Sequence, residues 1–261
     1  MRTALTIAGS DSSAGAGIQA DLKTFAAHGV YGTSALTAIT AQNTLGVVAW
    51  QALPAELVTA QIEAVEADFQ LGAVKIGMLA NAAIVEAVAA AILELELANV
   101  VVDPVMIAKG GGRLLESDAV DAIRRELLPH ARVLTPNVPE AEALSGLSIA
   151  SVADMRAAGE RILSFGPRVV LLKGGHLDGP ESVDVAVTGE GTFEIRRPRQ
   201  DTTSDHGTGC TLSSAIAANL ALGLELRDAL ERAREYLDGA IRHAPGLGRG
   251  HGPLGHFWRV Y

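Results

Sequence analysis

The sequence contains a single cysteine, Cys210, among its 261 residues. One thiol cannot form an intrachain disulfide, and a metal cluster held by several thiolates is also excluded. Aromatic residues make up only 4% of the chain, although hydrophobic residues make up 48%. A chain of this length can bury a sizeable core, and that core must therefore be built mainly from aliphatic side chains.

The chain also lacks an excess of positive charge, because 21 Lys and Arg residues face 30 Asp and Glu residues. The resulting net charge of −9 argues against nucleic acid or an anionic membrane as the main partner. The N-terminus leads into an apolar run that is too short for a signal sequence or a membrane span. These absences predict a cytoplasmic protein whose partners are small molecules.

Two common nucleotide-binding motifs are missing. The spacing of Gly15 and Gly17 matches the start of a dinucleotide fingerprint, but no third glycine follows three residues later. A Walker P-loop, in which Gly-Lys is followed by Ser or Thr, is absent as well. If the chain binds phosphate groups, it must therefore use a different kind of loop.

Strand and helix patterns alternate along the chain. A buried strand pattern at residues 4–8 is followed by a glycine-serine turn and a helix pattern at 18–28, and similar units repeat to the C-terminal region. This alternation predicts an α/β fold with a mostly parallel central sheet and helices on both faces. A short extra strand is predicted at 47–53, and a hairpin is predicted from 182 to 197. No repeat or linker divides the chain, so we predict one domain over residues 1–261.

The most distinctive stretch is residues 201–211, DTTSDHGTGCT, which leads into a helix pattern of small apolar residues. Gly207 and Gly209 allow a ligand to approach the backbone closely. The helix behind them begins with unpaired N–H groups and the positive end of a helix dipole. These features predict an anion site, most economically a phosphate site. The alternative is an ordinary loop, capped by Thr208 or Thr211, before a buried helix.

Polar groups and glycine turns follow the predicted strands one after another. They are Gly9-Ser10-Asp11, Gln42-Asn43, Gly77-Met78, Asp103-Pro104-Val105, Asn137 with Glu140, Lys173-Gly174-Gly175 and Gly207-Thr208-Gly209-Cys210. Ligands of such folds bind beyond the carboxyl ends of the strands. Seven such ends in succession exceed what solvation of loops requires, and they predict a phosphate-handling active site.

The residue types at these ends suit phosphoryl transfer, which needs charge neutralisation more than covalent help. Lys173 is the candidate cation, and Asp103 and Glu140 are hard oxygen groups able to hold Mg²⁺ through water. Each has a structural alternative. Lys173 could be a surface charge at a turn, Asp103 could be a cap, and Glu140 could be a first-turn acid favoured by the helix dipole.

Seven motifs, taken as a set, are similar to those of one enzyme family. They are Ala8-Gly9-Ser10-Asp11-Ser12, Gly17-Ile18-Gln19-Ala20-Asp21, Asp103-Pro104-Val105-Met106, Asn137-x-x-Glu140, Lys173-Gly174-Gly175-His176, Gly207-Thr208-Gly209-Cys210-Thr211 and Gly250-His251-Gly252-Pro253. The set resembles the hydroxymethylpyrimidine/phosphomethylpyrimidine kinases of the thiamin pathway, which belong to the ribokinase-like superfamily. The resemblance extends along essentially the whole chain.

The resemblance implies a ribokinase-like fold and a kinase that uses ATP and Mg²⁺. Such an enzyme phosphorylates 4-amino-5-hydroxymethyl-2-methylpyrimidine and then converts the monophosphate to the diphosphate. A homodimer is usual in the family. By position, Gln42 and the backbone of Val105 would hold the pyrimidine, and residues 107–115 would form a lid that excludes water.

The same resemblance assigns the remaining site residues by position. The pyrimidine pocket would be completed by Gly9, Asp21 and Met78. The nucleotide phosphates would meet Lys173 and Thr208, and the Mg²⁺-phosphate region would contain Asn137 and Glu140. Two departures from the family pattern are visible: Asp205, where threonine is frequent, adds negative charge near the phosphates, and the glycines of 110–112 loosen the lid.

Cys210 falls where related sugar kinases have an aspartate base, and Gly207 and Gly209 belong to the same catalytic loop. A helix start should lower the pKa of the thiol towards neutrality, which makes a thiolate base feasible. The alternative is a small buried residue at a close-packed helix start. The first acceptor is a neutral hydroxyl that benefits from proton removal, whereas the second is already a phosphate anion.

Two other functions remain open at the level of sequence. A pyridoxal kinase of the same superfamily would bind a similar flat ring that bears a hydroxymethyl group. Gln42 suits the paired donor and acceptor edge of an aminopyrimidine, and Met78 is a flat apolar cover, but neither excludes vitamin B6 substrates. A non-catalytic pyrimidine- or nucleotide-binding protein is the third possibility, against which the intact glycines, Lys173 and Glu140 argue.

Overall fold

The computed structural model of the protein describes residues 1–106, 118–177 and 179–259. The predicted lid at 107–115 lies outside the described residues. The nine strands are β1 (Thr3–Ser10), β2 (Tyr31–Asn43), β3 (Gly46–Ala52), β4 (Leu71–Ile76), β5 (Val100–Val102), β6 (Val133–Leu134), β7 (Val169–Leu172), β8 (Glu181–Thr188) and β9 (Gly191–Pro198). They form one sheet in the order β3-β2-β1-β4-β5-β6-β7-β8-β9.

Six central strands, from β2 to β7 in the sheet, pair in parallel. The flanking strand β3 pairs antiparallel with β2, and β8 and β9 form an antiparallel hairpin beside β7. The mostly parallel sheet, the extra strand and the hairpin are therefore confirmed. That all 261 residues make one domain stays a prediction.

Helices cover both faces of the sheet. They are α1 (Gly17–Ala27), α2 (Ala55–Glu66), α3 (Ala82–Glu94), α4 (Ala119–Ala122), α5 (Val138–Ser145), α6 (Val152–Leu163), α7 (Thr208–Ala221) and α8 (Leu226–Arg242). Buried residues of α1, α7 and α8 pack on one face, and those of α2 to α6 pack on the other. Strand β1 contributes side chains to both faces. Ala4 packs with α1, α7 and α8, whereas Leu5 and Ile7 pack on the side of α2 to α6. None of the helices in the described ranges has the length and apolar character needed to cross a membrane.

Two elements differ from their predicted bounds for physical reasons. The sequence pattern predicts that the second strand spans residues 32–40, but β2 continues to Asn43, because β3 pairs with it from Ala38 to Asn43 and extends it beyond the parallel region. Gln42 therefore lies on a hairpin rather than in a loop. The sequence pattern also predicts a helix over residues 117–128, but the described part of it is one α-helical turn, followed by a π-helical turn and a 3₁₀ turn that contains Pro129. Proline lacks the N–H group that a continuing helix needs at that position.

Candidate active site

A cavity of about 730 Å³ opens at the carboxyl ends of the parallel strands. Its lining includes nearly all of the predicted site residues, namely Gly9, Gln42, Met78, Asp103, Val105, Asn137, Glu140, Lys173, Gly207, Thr208, Gly209 and Cys210. The strands bring these residues together because each parallel strand ends at the same edge of the sheet. The strand ends therefore form one site, as the sequence predicts.

The start of α7 provides a set of backbone donors to this cavity. Gly207 adopts φ +83°, and a methyl group at this position would lie 1.9 Å from the carbonyl oxygen of Gly15. In the described parts of the chain, the N–H groups of Gly207, Gly209 and Cys210 have no hydrogen-bond acceptor, and no side chain caps the helix. The alternative of an ordinary capped loop is wrong. Three unpaired donors at a helix start make a site for an anion.

Lys173 forms a charged group with two acids beside these donors. Its Nζ lies 2.7 Å from Asp103 Oδ1 and 3.9 Å from Glu140 Oε2, and its side chain is 16% exposed. Burial opposes the charge on Lys173, but the carboxylates of Asp103 and Glu140 outweigh burial and raise the pKa of the ammonium. A methyl group on Gly209 would lie 3.2 Å from both Asp103 Oδ2 and Lys173 Nζ. Glycine at 209 therefore lets the helix start approach the charged pair.

Asn137 and Glu140 close a capping box at the start of α5. The Asn137 side chain accepts from the Glu140 N–H at 2.9 Å, and Glu140 Oε2 accepts from the Asn137 N–H at 2.8 Å. Burial raises the pKa of Glu140 to about 7, against the opposing charge of Lys173. Glu140 is thus a first-turn acid that also lines the cavity, so that its structural and its predicted metal-binding roles are compatible.

Gly9, Met78, Val105 and Gln42 lie in the part of the cavity predicted to hold the ring. A methyl group on Gly9 would lie 2.9 Å from Met78 Sδ, so glycine at this position lets the thioether lie where it does. The Val105 N–H donates to the Asp103 carbonyl oxygen at 2.8 Å. The backbone of Val105 can therefore offer a ligand its carbonyl oxygen, while its N–H is used within the chain.

Asp21 does not line the cavity, so its predicted place in the pyrimidine pocket is wrong. Its side chain is fully buried, and its carboxylate accepts from Thr6 at 2.6 Å, Lys75 at 2.8 Å and Ser214 at 2.6 Å. These contacts join β1, β4 and α7 to α1. Asp21 is therefore a buried anchor of the helix that carries the phosphate loop.

Lys75 is a buried cation in the apolar strand β4 that sequence reasoning missed. Its side chain is 0% exposed. Burial alone would lower the pKa of Lys75, but the charges of Asp21, Cys210 and Asp103 outweigh burial and raise it. A charged residue inside a strand of a parallel sheet that is otherwise apolar was the signal that could have identified it.

We expect Lys75→Met to lower the free energy of unfolding by about 3–5 kcal/mol, because Asp21 would keep a buried charge without its cation. Chemical denaturation monitored by circular dichroism measures the loss. Arg125→Met, at an exposed ion pair with Glu126, is the control and should change stability little. A loss of less than about 1 kcal/mol for Lys75→Met would show that the Asp21 charge needs no buried partner.

A second group that the sequence did not reveal surrounds His206. His206 Nε2 lies 2.8 Å from Asp11 Oδ2 and 3.3 Å from Gln42 Nε2. Burial opposes the charge of Asp11, but hydrogen bonds from His206 and Ser13 prevail and lower its pKa to about 2. The backbone N–H of His206 donates to the carbonyl oxygen of Gly252, so the C-terminal tail holds this loop in place. The polar end of β1 was the available sequence signal.

Asp205, the first departure from the family pattern, lines the cavity next to this loop. Its Oδ1 lies 2.7 Å from Nδ1 of His251. The carboxylate thus contacts the C-terminal tail. The glycines at 110–112, the second departure, lie outside the described residues.

The expectation of a lowered pKa for Cys210 is wrong. The thiol is partly exposed at the cavity, yet burial among protein groups raises its pKa to about 11. Lys75 opposes this shift, and the charges of Asp21 and Asp103 add to it. The N–H of Gly17 also favours the thiolate, but this donor and the helix start do not compensate for the lost hydration.

Comparison with known proteins places these residues in a family. The family model described as phosphomethylpyrimidine kinase matches residues 11–255. A hydroxymethylpyrimidine/phosphomethylpyrimidine kinase of Haemophilus influenzae is 47% identical, with 98% of this chain and 97% of that protein covered.

Two solved structures are similar to the whole architecture. A phosphomethylpyrimidine kinase from Clostridium difficile 630 has a TM-score of 0.83 and 47% identity, over 92% of this chain and 100% of that one. An ADP complex of Bacillus subtilis pyridoxal kinase has a TM-score of 0.92 and 39% identity, with 100% of both chains covered. The chain therefore belongs to the phosphomethylpyrimidine kinase family and is a phosphotransferase with the ribokinase-like fold.

Proposed function

We propose that the protein transfers the terminal phosphoryl group of ATP to 4-amino-5-hydroxymethyl-2-methylpyrimidine and then to its monophosphate, in thiamin biosynthesis. The observation that carries this proposal is the set of unpaired N–H groups at Gly207, Gly209 and Cys210, which border a cavity that also contains Lys173 and Gln42. The relatives named as kinases of these two pyrimidines support the choice of substrate.

In the proposed reaction, the substrate oxygen attacks the terminal phosphorus of ATP, and the bond from that phosphorus to the bridging oxygen breaks to release ADP. Negative charge is spread over the phosphoryl oxygens during transfer. The N–H groups at the start of α7 are fixed donors for these oxygens, and Lys173 supplies a positive charge beside them. When the acceptor is the alcohol, its hydroxyl proton must also be removed, and Cys210 is the proposed base.

We propose that Asp103 and Glu140 hold Mg²⁺ together with the nucleotide phosphates. The described residues contain no cluster of three or more His, Cys, Asp or Glu residues that could hold a metal ion. Mg²⁺ commonly binds through one or two carboxylates, several waters and substrate phosphates, so two acids at this cavity fit it. Bound Mg²⁺ would neutralise phosphate charge. Asn137 and Thr208 complete the proposed nucleotide phosphate region.

Gln42→Ala is expected to raise the KM for the pyrimidine alcohol about 5- to 30-fold, because it removes a donor and an acceptor from the proposed ring subsite. The kcat should change less. Steady-state kinetics at saturating ATP measure both parameters. Gln51→Ala, an exposed glutamine on the adjacent strand β3, is the matched control and should leave KM unchanged. An unchanged KM for Gln42→Ala would remove Gln42 from the pyrimidine subsite.

A pyridoxal kinase is the second candidate, favoured by the similarity to the Bacillus subtilis pyridoxal kinase over the whole chain. An ATP-dependent assay with the pyrimidine alcohol and with pyridoxal, in parallel, decides between them. We expect the pyrimidine to give a monophosphate and then a diphosphate, at a higher kcat/KM than pyridoxal gives its phosphate. A higher kcat/KM for pyridoxal, without diphosphate formation, would favour the second candidate. If ATP is consumed with neither the pyrimidine alcohol nor pyridoxal, the non-catalytic binding protein would be favoured.

We also propose that the enzyme is a cytoplasmic homodimer. The family resemblance supports this arrangement, and the hairpin of β2 and β3 at the edge of the sheet exposes Ile39, Leu45 and Val48. Light scattering coupled to size-exclusion chromatography should give twice the chain mass of 27.0 kDa. A mass of one chain would remove the dimer.

A further inference from the structure

A buried group of ions borders the cavity on the side of β8 and α8. Asp184, Arg234 and Asp238 are 1%, 9% and 5% exposed, and all three line the cavity. Arg234 Nη1 lies 3.4 Å from Asp184 Oδ2, and Arg234 Nη2 lies 3.4 Å from Asp238 Oδ1. Burying three charges is costly, so their placement calls for a reason beyond packing.

Asp184 contacts the turn that follows Lys173. Its Oδ1 accepts from the N–H of Gly174 at 2.9 Å. The antiparallel pairing of β7 with β8 sets Leu172 opposite Val185, which brings Asp184 beside the end of β7. A methyl group on Gly174 would lie 1.9 Å from the Val183 carbonyl oxygen, so this turn packs directly on β8. The carboxylate of Asp184 therefore fixes the peptide group that joins Lys173 to Gly174.

The other oxygen of Asp184 is not used in the same way. Asp184 Oδ2 and Asp238 Oδ1 make no hydrogen bond within the described ranges and pair with Arg234 only as ions at 3.4 Å, while the buried Arg234 Nε has no hydrogen-bond partner there. Each such group costs about 1–3 kcal/mol when it is left unsatisfied. Such groups at the edge of an active-site cavity are candidates for a role in the site.

We propose that Asp184 is a positioning residue for phosphoryl transfer, which holds the Lys173 ammonium at the phosphate site through the Gly174 N–H. One oxygen of Asp184 thus accepts from Gly174, and the other faces the positive charge of Arg234 on α8. The inference rests on the proposed role of Lys173 as the cation for the nucleotide phosphates. It deepens that role by naming the residue that sets the position of the cation.

The proposal predicts which kinetic constants change. A displacement of about 1 Å at a reacting group can cost about 100-fold in rate, because the reacting atoms lose alignment. We therefore expect Asp184→Ala to lower kcat/KM for ATP about 30- to 100-fold. The KM for the pyrimidine alcohol should be nearly unchanged, because the proposed ring contacts depend on β2 and not on β8. Gln42 accepts from Thr40, and the Met78 carbonyl oxygen accepts from Thr37, and both threonines lie on β2.

A double-mutant cycle with Lys173→Ala tests whether Asp184 acts through Lys173. In the Lys173→Ala background, we expect Asp184→Ala to cost less than about threefold, because the ammonium that it positions is already absent. The exposed Glu181→Ala on the same strand is the control and should leave kcat/KM unchanged. Equal losses from Asp184→Ala in both backgrounds would overturn the proposal. Normal kcat/KM for ATP in Lys173→Ala itself would instead overturn the proposed role of Lys173, and this inference with it.

If Asp184→Ala does not fold, Asp184→Asn replaces it, because its amide oxygen can still accept from Gly174, although its NH2 group cannot pair with Arg234. We then expect a loss of less than about fivefold, and slow hydrogen exchange at the Gly174 amide in both the unmodified protein and the variant. Fast exchange at Gly174 in the unmodified protein, or a large loss that is independent of Lys173, would overturn the positioning role.

Discussion

Replacing Cys210 with alanine is expected to slow transfer to the pyrimidine alcohol about 100-fold or more. Transfer to the monophosphate should fall by less than about tenfold, because a phosphate with a second pKa of about 6 is already an anion near pH 7. Separate assays on the purified alcohol and on the purified monophosphate measure the two effects. Equal losses on both substrates would make Cys210 an architectural residue at the close-packed start of α7.

The raised pKa of the Cys210 thiol adds a pH dependence to this expectation. With a pKa of about 11, the thiol is almost entirely protonated at pH 7, and its ionised fraction grows about tenfold with each pH unit up to that value. If the thiolate is the base, the rate with the alcohol should rise with the ionised fraction from pH 7 to pH 9. This rise should occur in the unmodified protein and not in Cys210→Ala. A rate that is flat over this range would rule out the thiolate as the base.

Gly207→Ala is expected to lower kcat about 100- to 1,000-fold on both substrates, since both steps use the donors at the start of α7. The methyl group would meet the Gly15 carbonyl oxygen, and the residue would keep a left-handed φ only with strain. Relief of the clash must move the N–H groups of residues 207–210. Loss on both substrates distinguishes this variant from Cys210→Ala.

Gly223→Ala provides the matched control for backbone strain. Gly223 has φ +86°, lies in the turn between α7 and α8, and has no atom within 4 Å of where its methyl group would lie. We expect it to lose about 1–2 kcal/mol of stability, as any residue forced into this conformation would, and to keep its activity. If Gly223→Ala loses as much kcat as Gly207→Ala, the loss comes from α7 as a whole rather than from the phosphate loop.

The alternation of strand and helix patterns was sufficient to predict the mostly parallel sheet and the hairpin, and the polar strand ends were sufficient to predict the site at one edge of the sheet; the antiparallel pairing of β3 with β2 was not predicted. These features follow from local rules, since each strand and helix is encoded within its own segment. The capping residue Asn81 is an example, because its side chain accepts from the Ile84 N–H as its position before the helix predicts.

The residues that sequence reasoning missed depend on contacts between distant segments. Asp21 is buried because Lys75 and Ser214 reach it from β4 and α7, and no local pattern in α1 reveals this. The family resemblance places Asp21 in the substrate pocket and the helix start predicts a lowered pKa for Cys210, and both expectations fail because neither takes such contacts into account. The helix start is visible in the sequence, whereas the desolvation that dominates the pKa of Cys210 depends on the packed neighbours.

The most direct test of the phosphate site is a nuclear magnetic resonance titration that follows the backbone amides of Gly207, Gly209 and Cys210. The protein is titrated with Mg²⁺ and a non-hydrolysable ATP analogue, and separately with Mg²⁺ and ADP. We predict that these three amides shift strongly with the analogue and much less with ADP, because the terminal phosphate is the group that they bind. Equal shifts with both nucleotides, or no shift at these amides, would contradict the assignment of this loop to the transferred phosphoryl group.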